Sequence, residues 1–300
     1  MYKFTPILKT LVWGTESWVL SGVPGNESVV AEGPEAGKKI TELYPGQFPL
    51  LIKFIDAKRD LSIQVHPDDG LAAKRHGCSG KTEMWYVIGA EPGAMLISGL
   101  KEPITPDDYV RLVEQDRITD VLAEHAVAPG DVFFLPSGRI HAIGGGCYLA
   151  EIQQTSDITY RIYDYNRPGL DGKPRQLHTQ EAKDAIDYHV YPEYRTLYEP
   201  KQDEPVELVR CPYFTTTLYD LTQRTEIPDQ VGDDDKTSFA GLTGDSSFLS
   251  ALGLSGSGTI KSAQDETTLQ EGEAVLIPAS DGPVSFEPGP DGLRLLTTHP

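Results

Sequence analysis

The sequence predicts a mainly β protein, an antiparallel sandwich or barrel, from three observations. Glycine (29 residues) and proline (23) are spread along the whole of the 300-residue chain. Between them lie short runs rich in Val, Ile, Phe, Tyr and Leu at intervals of roughly ten residues, a spacing typical of short strands joined by turns. No alternation of strands with helices is visible, so a parallel α/β sheet is not expected.

The strand predictions follow the apolar runs. Strands are expected at 48–55 (FPLLIKFI), 84–88 (MWYVI), 131–135 (DVFFL), 147–153 (CYLAEIQ) and 273–278 (EAVLIP). The run 130–136 (GDVFFLP) resembles 272–278 (GEAVLIP), and 84–94 resembles 248–260 as a strand that enters a Gly-rich turn. Two copies of one β unit are therefore predicted, although a turn, a strand and a proline also recur by chance in β proteins.

Helical patterns interrupt the strands in three places. Thr105 can cap a helix that has Pro106 at its first position and acids in its first turn. Residues 118–124 and 67–75 are also expected to be helical. We therefore predict a helical insertion around 103–125 within the first β unit. The polar, proline-bearing segment 199–207 shows no pattern and predicts a boundary between domains at 1–200 and 206–300.

The acidic net charge of the chain limits the kinds of molecule that it is expected to bind. The chain has 26 Lys plus Arg against 45 Asp plus Glu, a net charge of −19, which argues against nucleic acid or an anionic membrane surface as a partner. Residues 201–300 carry −11 of this charge and residues 1–200 carry −8. An anionic small substrate is therefore compatible with the first domain.

Composition indicates a globular protein. Hydrophobic residues make up 39% of the chain, and no run of about twenty apolar residues could span a membrane. The three cysteines, Cys78, Cys147 and Cys211, include no CxxC pair, so a disulfide framework is not expected. The segment MYKFTPILKT lacks the apolar stretch of a secretory signal. We expect a cytoplasmic protein, monomeric or weakly homo-oligomeric.

Two histidines, a carboxylate and an amide form the densest chemical pattern. Gln64 and His66 are two residues apart, so in a strand both side chains point to one face. Glu83 and His141 would come from neighbouring strands. Two imidazoles and a carboxylate suit a divalent ion such as Zn²⁺, and an amide oxygen can fill a fourth position. Each residue also has an ordinary structural role, since His66 before Pro67 could cap a turn.

Five segments, taken in order, carry a family resemblance. They are WGTESWVLSGVPGNESVV (13–30), LIKFIDAKRDLSIQVHPDD (51–69), KTEMWYV (81–87), FLPSGRIHAIGGG (134–146) and TYRIYDYNRPGLDGKPRQLHTQEA (159–182). Together they resemble the type I mannose-6-phosphate isomerases in their short bacterial form. The resemblance implies a cupin-type β-sandwich or jelly-roll with two cupin units. It also implies one zinc ion per chain, held by Gln64, His66, Glu83 and His141.

The same resemblance places further side chains around a pocket for a phosphorylated hexose, namely Lys53, Ser62, Lys81, Glu151 and Arg161. Arg161 stands between Tyr160 and Ile162, where an inward guanidinium is costly unless it meets an anion. Trp18 is expected to line the mouth of the pocket, with core packing as the alternative. Val19 departs from the family, in which an acidic residue is expected at this position.

A basic loop follows Arg161. The run 166–175 (NRPGLDGKPR) contains Arg167, Lys173 and Arg175, and residues 159–175 hold four basic residues against two acids. A phosphate could meet several cations there, and Lys173 is the predicted substrate-binding residue. Solvated loop charges are the alternative.

The implied reaction interconverts D-mannose 6-phosphate and D-fructose 6-phosphate. A proton moves between C1 and C2 through an enediol-type intermediate, and a divalent metal can stabilise the negative charge that develops on oxygen. Glu151, with a raised pKa among apolar neighbours, or Lys81, with a lowered pKa near the metal, is the expected acid or base. Arg161 is expected to stabilise charge or to orient the substrate.

Two other functions stay open. A non-catalytic, regulatory cupin pair that binds sugar phosphates would keep the pocket without turnover. Another cupin metalloenzyme, an oxygenase or epimerase, would use more histidines than this chain offers. In the C-terminal copy, Pro283 stands where His141 would be expected, and the first histidine after residue 205 is His299. That copy is therefore predicted to be metal-free and structural.

Overall fold

The computed structural model describes residues 1–46, 48–222, 225–227 and 248–300. The chain divides into two compact units. The site unit comprises Leu8–Trp18 and Leu51–Thr196, and all of its residues are described. The C-terminal unit comprises Met1–Ile7, Val19–Leu50 and Leu197–Pro300. None of the helices in the described residues is both long enough and apolar enough to cross a membrane.

Strands dominate the described residues, as the sequence predicts. They are β1 (Tyr2–Thr5), β2 (Ile7–Leu11), β3 (Gly14–Ser21), β4 (Val29–Val30), β5 (Leu50–Ala57), β6 (Ile63–Val65), β7 (Glu83–Ala90), β8 (Met95–Leu100), β9 (Leu122–Ala126), β10 (Val132–Leu135), β11 (His141–Ile143), β12 (Cys147–Gln154) and β13 (Tyr160–Tyr163). They continue with β14 (Val206–Arg210), β15 (Thr215–Leu221), β16 (Thr225–Ile227), β17 (Phe248–Lys261), β18 (Glu266–Gln270), β19 (Ala274–Pro278) and β20 (Val284–His299). The α-helices are α1 (Ile40–Leu43), α2 (Asp69–His76), α3 (Pro106–Glu114) and α4 (Thr179–Ala185), and 3₁₀ turns lie at Ile118–Val121 and Ala279–Asp281.

The site unit is a sandwich of two antiparallel sheets. One has the order β10-β7-β12-β5-β3-β2 and the other the order β13-β6-β11-β8-β9. Trp85, Val87 and Leu149 of the first sheet pack in one buried cluster with Leu96 and Ile143 of the second. Because their inner side chains share this core, the two sheets face each other. The antiparallel β-sandwich predicted from the sequence is confirmed.

The helical insertion covers the outer face of the second sheet. Tyr109 and Leu112 of α3 are buried in a cluster with Val65, Ile97 and Ala142 of the strands. Residues 96 and 97 lie in different clusters because successive side chains of a strand point to opposite faces. This packing holds the strands that carry Gln64 and His141.

The helix predictions are confirmed at two places and wrong in part at the third. The Thr105 side chain caps α3 as predicted and forms a reciprocal pair with Asp108. Helix α2 begins at Asp69, since the Asp68 side chain accepts a hydrogen bond from the Leu71 backbone and caps the helix there. The predicted helix at 118–124 is a 3₁₀ turn that ends before Leu122, where β9 begins and pairs with β8.

The C-terminal unit contains a sheet with the order β14-β15-β20-β17-β19-β1-β4, to which β16 and β18 also pair. The strands β19, β17 and β20 are neighbours in this order, just as β10, β7 and β12 are neighbours in the site unit. Of these, β10 and β19, and likewise β7 and β17, lie in the segments with similar sequence. The strand order agrees with two copies of one β unit.

The observed division into two units differs from the predicted domains in the placement of the N-terminal segments. The sequence predicts one domain over 1–200, but Met1–Ile7 and Val19–Leu50 cluster with the C-terminal unit. The reason is strand pairing, since Tyr2 of β1 lies opposite Leu276 of β19. Pairing between residues so far apart leaves no local pattern in the sequence.

Candidate active site

A cluster of three side chains of the types that can hold a metal ion is buried between the two sheets of the site unit. His66 directly follows β6, His141 begins β11 opposite Gln64 of β6, and Glu83 reaches in from β7 of the other sheet. One ligand atom from each of His66, Glu83 and His141 lies within 4.8 Å of the others. Each of the three residues is at most 1% exposed.

Backbone carbonyls orient both histidine rings. Nδ1 of His66 lies 2.8 Å from the oxygen of Ile158, and Nδ1 of His141 lies 2.8 Å from the oxygen of Arg139. Since a carbonyl only accepts, each Nδ1 carries the proton and each Nε2 keeps a lone pair. Burial is the main cause that lowers the pKa of both rings, to about 3 for His66. Neutral imidazoles oriented in this way are the metal-binding form.

The donor atoms fit a divalent cation. Nε2 of His66 and Nε2 of His141 lie 3.5 and 3.3 Å from the two carboxylate oxygens of Glu83. Nε2 of His66 and Oε1 of Glu83 are buried and make no hydrogen bond with the described residues, which is costly unless a cation satisfies them. The Gln64 amide lies 3.3 Å from Nε2 of His141. Turning that amide over presents its oxygen at the same place.

Buried charges of alternating sign lead away from the cluster. Nζ of Lys81 lies 2.7 Å from Oε2 of Glu83 and 3.9 Å from Oε1 of Glu151. Lys53 donates to the same Oε1 over 2.7 Å, and Nε1 of Trp85 donates to Oε2 of Glu151 over 2.8 Å. Both oxygens of Glu151 thus have donors, and the orientation of the carboxylate is well defined.

The raised pKa expected for Glu151 is wrong. Burial and the charge of Glu83 raise the pKa of this carboxyl, but the ammonium groups of Lys53 and Lys81 outweigh them, and the pKa lies below its usual value. Burial lowers the pKa of Lys53, yet Glu151 and Glu16 together raise it above its usual value. Glu151 is therefore an ionised carboxylate at neutral pH.

Next to the cluster lies a cavity of about 200 Å³. It is lined by seven of the residues predicted from the sequence, namely Trp18, Lys53, Ser62, Gln64, Lys81, Glu151 and Arg161. Glu16, Asp157, Thr159 and Arg175 line it as well. The structure thus brings the predicted metal ligands and most of the predicted substrate residues to one place.

Two arginines line the cavity. Arg161 on β13 lies opposite Gln64 of β6, and its side chain donates to Oγ of Ser62 (3.3 Å) and to the backbone oxygen of Gln176 (3.0 Å). Burial, and next the charge of Arg175, lower the pKa of Arg161. The charge of Asp164 offsets part of the repulsion between the two guanidinium groups, but the hydrogen bonds from the Arg161 side chain go to neutral oxygens. This end of the cavity therefore suits an anionic group such as a phosphate.

Asp164 organises the basic loop. Its buried carboxylate accepts hydrogen bonds from Nε and Nη2 of Arg167 (3.0 and 2.9 Å) and from Nε and Nη2 of Arg175 (2.7 and 2.6 Å). Lys173 behaves differently from the prediction, since its side chain is exposed and does not line the cavity. The carboxylate anchors Arg175 beside the cavity, whereas Lys173 lies at the exposed turn between Asp171 and Arg175.

Sequence reasoning misses Glu16 and Trp85. Glu16 accepts a hydrogen bond from Nε1 of Trp18 (2.5 Å), and Nζ of Lys9 lies 3.3 Å from the centroid of the Trp18 ring. Trp85 holds Glu151, as described above. Each lies two positions from a predicted site residue on the same strand, Glu16 from Trp18 and Trp85 from Glu83. The strand period of two could therefore have identified both.

The sequence is similar to those of known phosphomannose isomerases. The family model of the phosphomannose isomerase type I catalytic domain matches residues 15–87. The chain is 31% identical to the mannose-6-phosphate isomerase ManA of Bacillus subtilis, over 95% of each chain. It is 31% identical to the mannose-6-phosphate isomerase of Streptococcus mutans, over 95% of this chain and 88% of that protein.

A solved structure shows the same fold. The crystal structure of the mannose 6-phosphate isomerase from Bacillus subtilis superposes with a TM-score of 0.85 at 30% identity, covering 100% of this chain and 99% of that one. This agreement confirms the predicted cupin-type fold class. The identity over almost the full length shows that the chain belongs to the type I mannose-6-phosphate isomerase family.

Proposed function

We propose that the chain is a zinc-dependent isomerase that interconverts D-mannose 6-phosphate and D-fructose 6-phosphate. One observation carries the proposal: the buried His66–Glu83–His141 cluster adjoins a cavity that also holds the Glu151–Lys81 pair and two arginines. A metal donor set, an acid–base pair and an anion site are the three parts that this reaction needs. Membership of the family supports the same assignment.

His66, Glu83, His141 and the amide oxygen of Gln64 would hold the metal. Two imidazoles, a carboxylate and an amide oxygen favour Zn²⁺ over a hard ion such as Mg²⁺, which prefers oxygen ligands alone. When bound, the ion supplies an electrophile that stabilises negative charge on the sugar oxygens at C1 and C2. The carbonyls of Ile158 and Arg139 keep the rings in the binding tautomer.

Arg161 and Arg175 would hold the phosphate end of the substrate, with Ser62 fixing the Arg161 side chain. Guanidinium groups bind phosphate through paired, charge-assisted hydrogen bonds. Trp18 lines the cavity, where its indole would contact the carbon atoms of the sugar, and Glu16 holds the indole in place. These contacts orient the open-chain sugar with its other end toward the metal cluster.

Glu151 and Lys81 would carry the proton between C1 and C2 through an enediol-type intermediate. The ionised Glu151 can accept a proton, and Nζ of Lys81 can donate one, with the two groups 3.9 Å apart at the cavity wall. Lys53 and Trp85 hold Glu151 in one orientation, so that it does not swing away during the transfer. Arg161 is too basic to serve as the proton carrier.

A coupled assay of the purified protein on mannose 6-phosphate, with and without a chelator, tests the proposal. The expected result is formation of fructose 6-phosphate that the chelator abolishes and added zinc restores. A regulatory sugar-phosphate binder would instead bind mannose 6-phosphate in a titration without turning it over. Absence of chelator-sensitive product would refute the isomerase proposal. The cytoplasmic location and the monomeric or weakly oligomeric state stay predictions.

A further inference from the structure

One loop of the site unit contacts both histidines of the cluster. This loop, residues 136–139, joins β10 to the strand that begins at His141 and is called the ligand loop below. The backbone N–H of Gly138 donates to the carbonyl oxygen of His66 (2.9 Å). The carbonyl oxygen of Arg139 accepts from Nδ1 of His141 (2.8 Å). A shift of this short loop would therefore move His66 and His141 together.

The segment 186–196 holds the ligand loop in place. The backbone N–H of Asp187 donates to the carbonyl oxygen of Gly138 (2.8 Å). Gly138 has φ of +89°, a conformation that favours glycine, and a Cβ there would lie only 3.0 Å from the carbonyl oxygen of Ala185, so a side chain at this position would be strained and crowded. The segment thus contacts the ligand loop through its backbone.

A second contact is made by the Arg139 side chain. Its guanidinium carbon lies 4.7 Å from the ring centroid of Tyr191 and 4.6 Å from that of Tyr194, and the residue is 8% exposed. Both distances fall within the range of cation–π stacking. The hydroxyl of Tyr194 in turn donates to the carbonyl oxygen of Leu100 (2.7 Å) and accepts from the backbone N–H of Leu100 (3.2 Å). The Tyr194 ring is therefore anchored to β8.

The side chain and the carbonyl of Arg139 act at different places. The buried guanidinium lies against both rings of the edge-to-face pair of Tyr191 and Tyr194, whose centroids are 5.9 Å apart, while the carbonyl of the same residue orients the His141 ring. Burying an arginine is costly, and an apolar residue would fill this space more cheaply if packing were its purpose. A buried guanidinium in contact with two rings at once has little rotational freedom, so it holds the backbone of Arg139, and with it the carbonyl, in one direction.

We propose that Arg139, held by cation–π contacts with both Tyr191 and Tyr194, is a positioning residue that fixes the orientation of His141 and thereby sets the affinity of the metal site. The inference rests on the proposed metal function. Partners that orient a metal-binding histidine typically change metal affinity by about 10- to 100-fold when they are removed. None of these three side chains lines the cavity, so the effect is expected on metal binding before it is seen on substrate binding.

The test is zinc affinity of the metal-free full-length protein, measured by competition with a chromogenic chelator. Arg139→Met keeps the length and removes the stacked charge, and Tyr191→Leu removes one ring at a partly exposed position, where misfolding is less of a concern. The matched control is Arg195→Met, because Arg195 also stacks on an aromatic ring, Phe133 at 5.6 Å, and lies on the same segment. The visible spectrum of the cobalt-substituted proteins reports the ligand geometry independently of activity.

We expect Arg139→Met and Tyr191→Leu to bind zinc about 10- to 100-fold more weakly and to show an altered cobalt spectrum, while Arg195→Met matches the wild type. Equal zinc affinity in all four proteins overturns the positioning role, as does an equal loss in all three variants, which would indicate general packing. If the wild type itself binds no zinc, the proposed metal function fails and this inference with it. Weakened zinc binding in Arg139→Met and Tyr191→Leu, but not in Arg195→Met, supports the positioning role of Arg139.

Discussion

Nζ of Lys53 lies 2.7 Å from Oε1 of Glu151 in a buried ion pair whose members are 98 residues apart in the sequence. Lys53 comes from β5 and Glu151 from β12, which are neighbours in one sheet. The pair keeps Glu151 ionised in a place where burial alone would favour the protonated acid. This single contact converts an apolar strand position into one that can hold a base at neutral pH.

Lys53→Met is expected to shift the pH dependence of turnover. Without Lys53 the pKa of Glu151 rises, since the largest cause that lowers it is lost. Activity requires ionised Glu151, so the acidic limb of the kcat profile moves to higher pH. Glu151 keeps Lys81, 3.9 Å away, but loses its nearest cation, and removal of one partner of a buried ion pair costs up to about 3 to 5 kcal/mol in the free energy of unfolding. A pH–rate profile and urea unfolding measure the two effects.

A double variant provides the control for this experiment. Glu151→Gln added to Lys53→Met removes the carboxylate that has lost its nearest cation, and part of the lost stability should return. An acidic limb that stays in place in Lys53→Met would contradict the assignment of Glu151 as the titrating base.

Glu151→Gln alone is expected to lower kcat by about 10²- to 10⁴-fold, the usual contribution of a positioned acid or base. The amide oxygen can still accept from one of the two donors, Trp85 or Lys53, and the metal ligands are unchanged, so the fold should be kept, with some loss of stability because the buried Lys53 loses its carboxylate partner. Zinc content by atomic absorption and kcat in the coupled assay are measured together. Glu91→Gln, at an exposed carboxylate of the same unit, is the matched control. Near-normal turnover with zinc bound would remove Glu151 from proton transfer.

His66→Asn is expected to abolish tight zinc binding, because the cluster loses one of its two imidazoles. The loss should exceed the roughly 100-fold that removal of an outer hydrogen-bonding partner can cost. Added zinc should raise the melting temperature of the wild type but not of this variant, since only a bound ion stabilises the folded state. His76→Asn, an exposed histidine on α2, should respond like the wild type. A zinc-dependent shift retained in His66→Asn would argue against this cluster as the metal site.

Asp164→Asn is expected to raise the KM for mannose 6-phosphate by about tenfold with little change in kcat. The carboxylate accepts four hydrogen bonds from Arg167 and Arg175, and an uncharged amide cannot hold both guanidinium groups. Losing about 1.4 kcal/mol of substrate binding corresponds to a tenfold change in affinity. Asp171→Asn, on the exposed part of the same loop, is the comparison. A change in kcat alone would place Asp164 outside phosphate recognition.

Local sequence patterns predict many of the helices and strands. The start of α3 (Pro106–Glu114) could be predicted because the Thr105 cap, a proline and acidic residues act within one turn. The strands at 84–88 and 147–153 could be predicted because apolar residues bounded by turns favour this state wherever they occur. These are interactions between residues close in the chain.

Other features depend on contacts that no local window contains. Residues 122–124 have a helical pattern but form a strand, because pairing with β8 satisfies their backbone. The pKa of Glu151 is lowered, whereas the sequence predicts a raised value. The prediction considers only the apolar neighbours along the strand, but Lys53 contacts the carboxylate from β5. Arg175, and not Lys173, lines the cavity because Asp164 anchors it there.

The sequence by itself determined the class of fold, the residue types of the metal cluster and, through the family resemblance, the expected reaction. Only the tertiary structure decided that Glu83 meets His66 and His141 from the opposite sheet, and that Met1–Ile7 belongs to the C-terminal unit. The physical reason is that sheet order and register come from pairing between strands far apart in the chain. Residue type determines what a side chain can do, and that pairing determines which side chains act together.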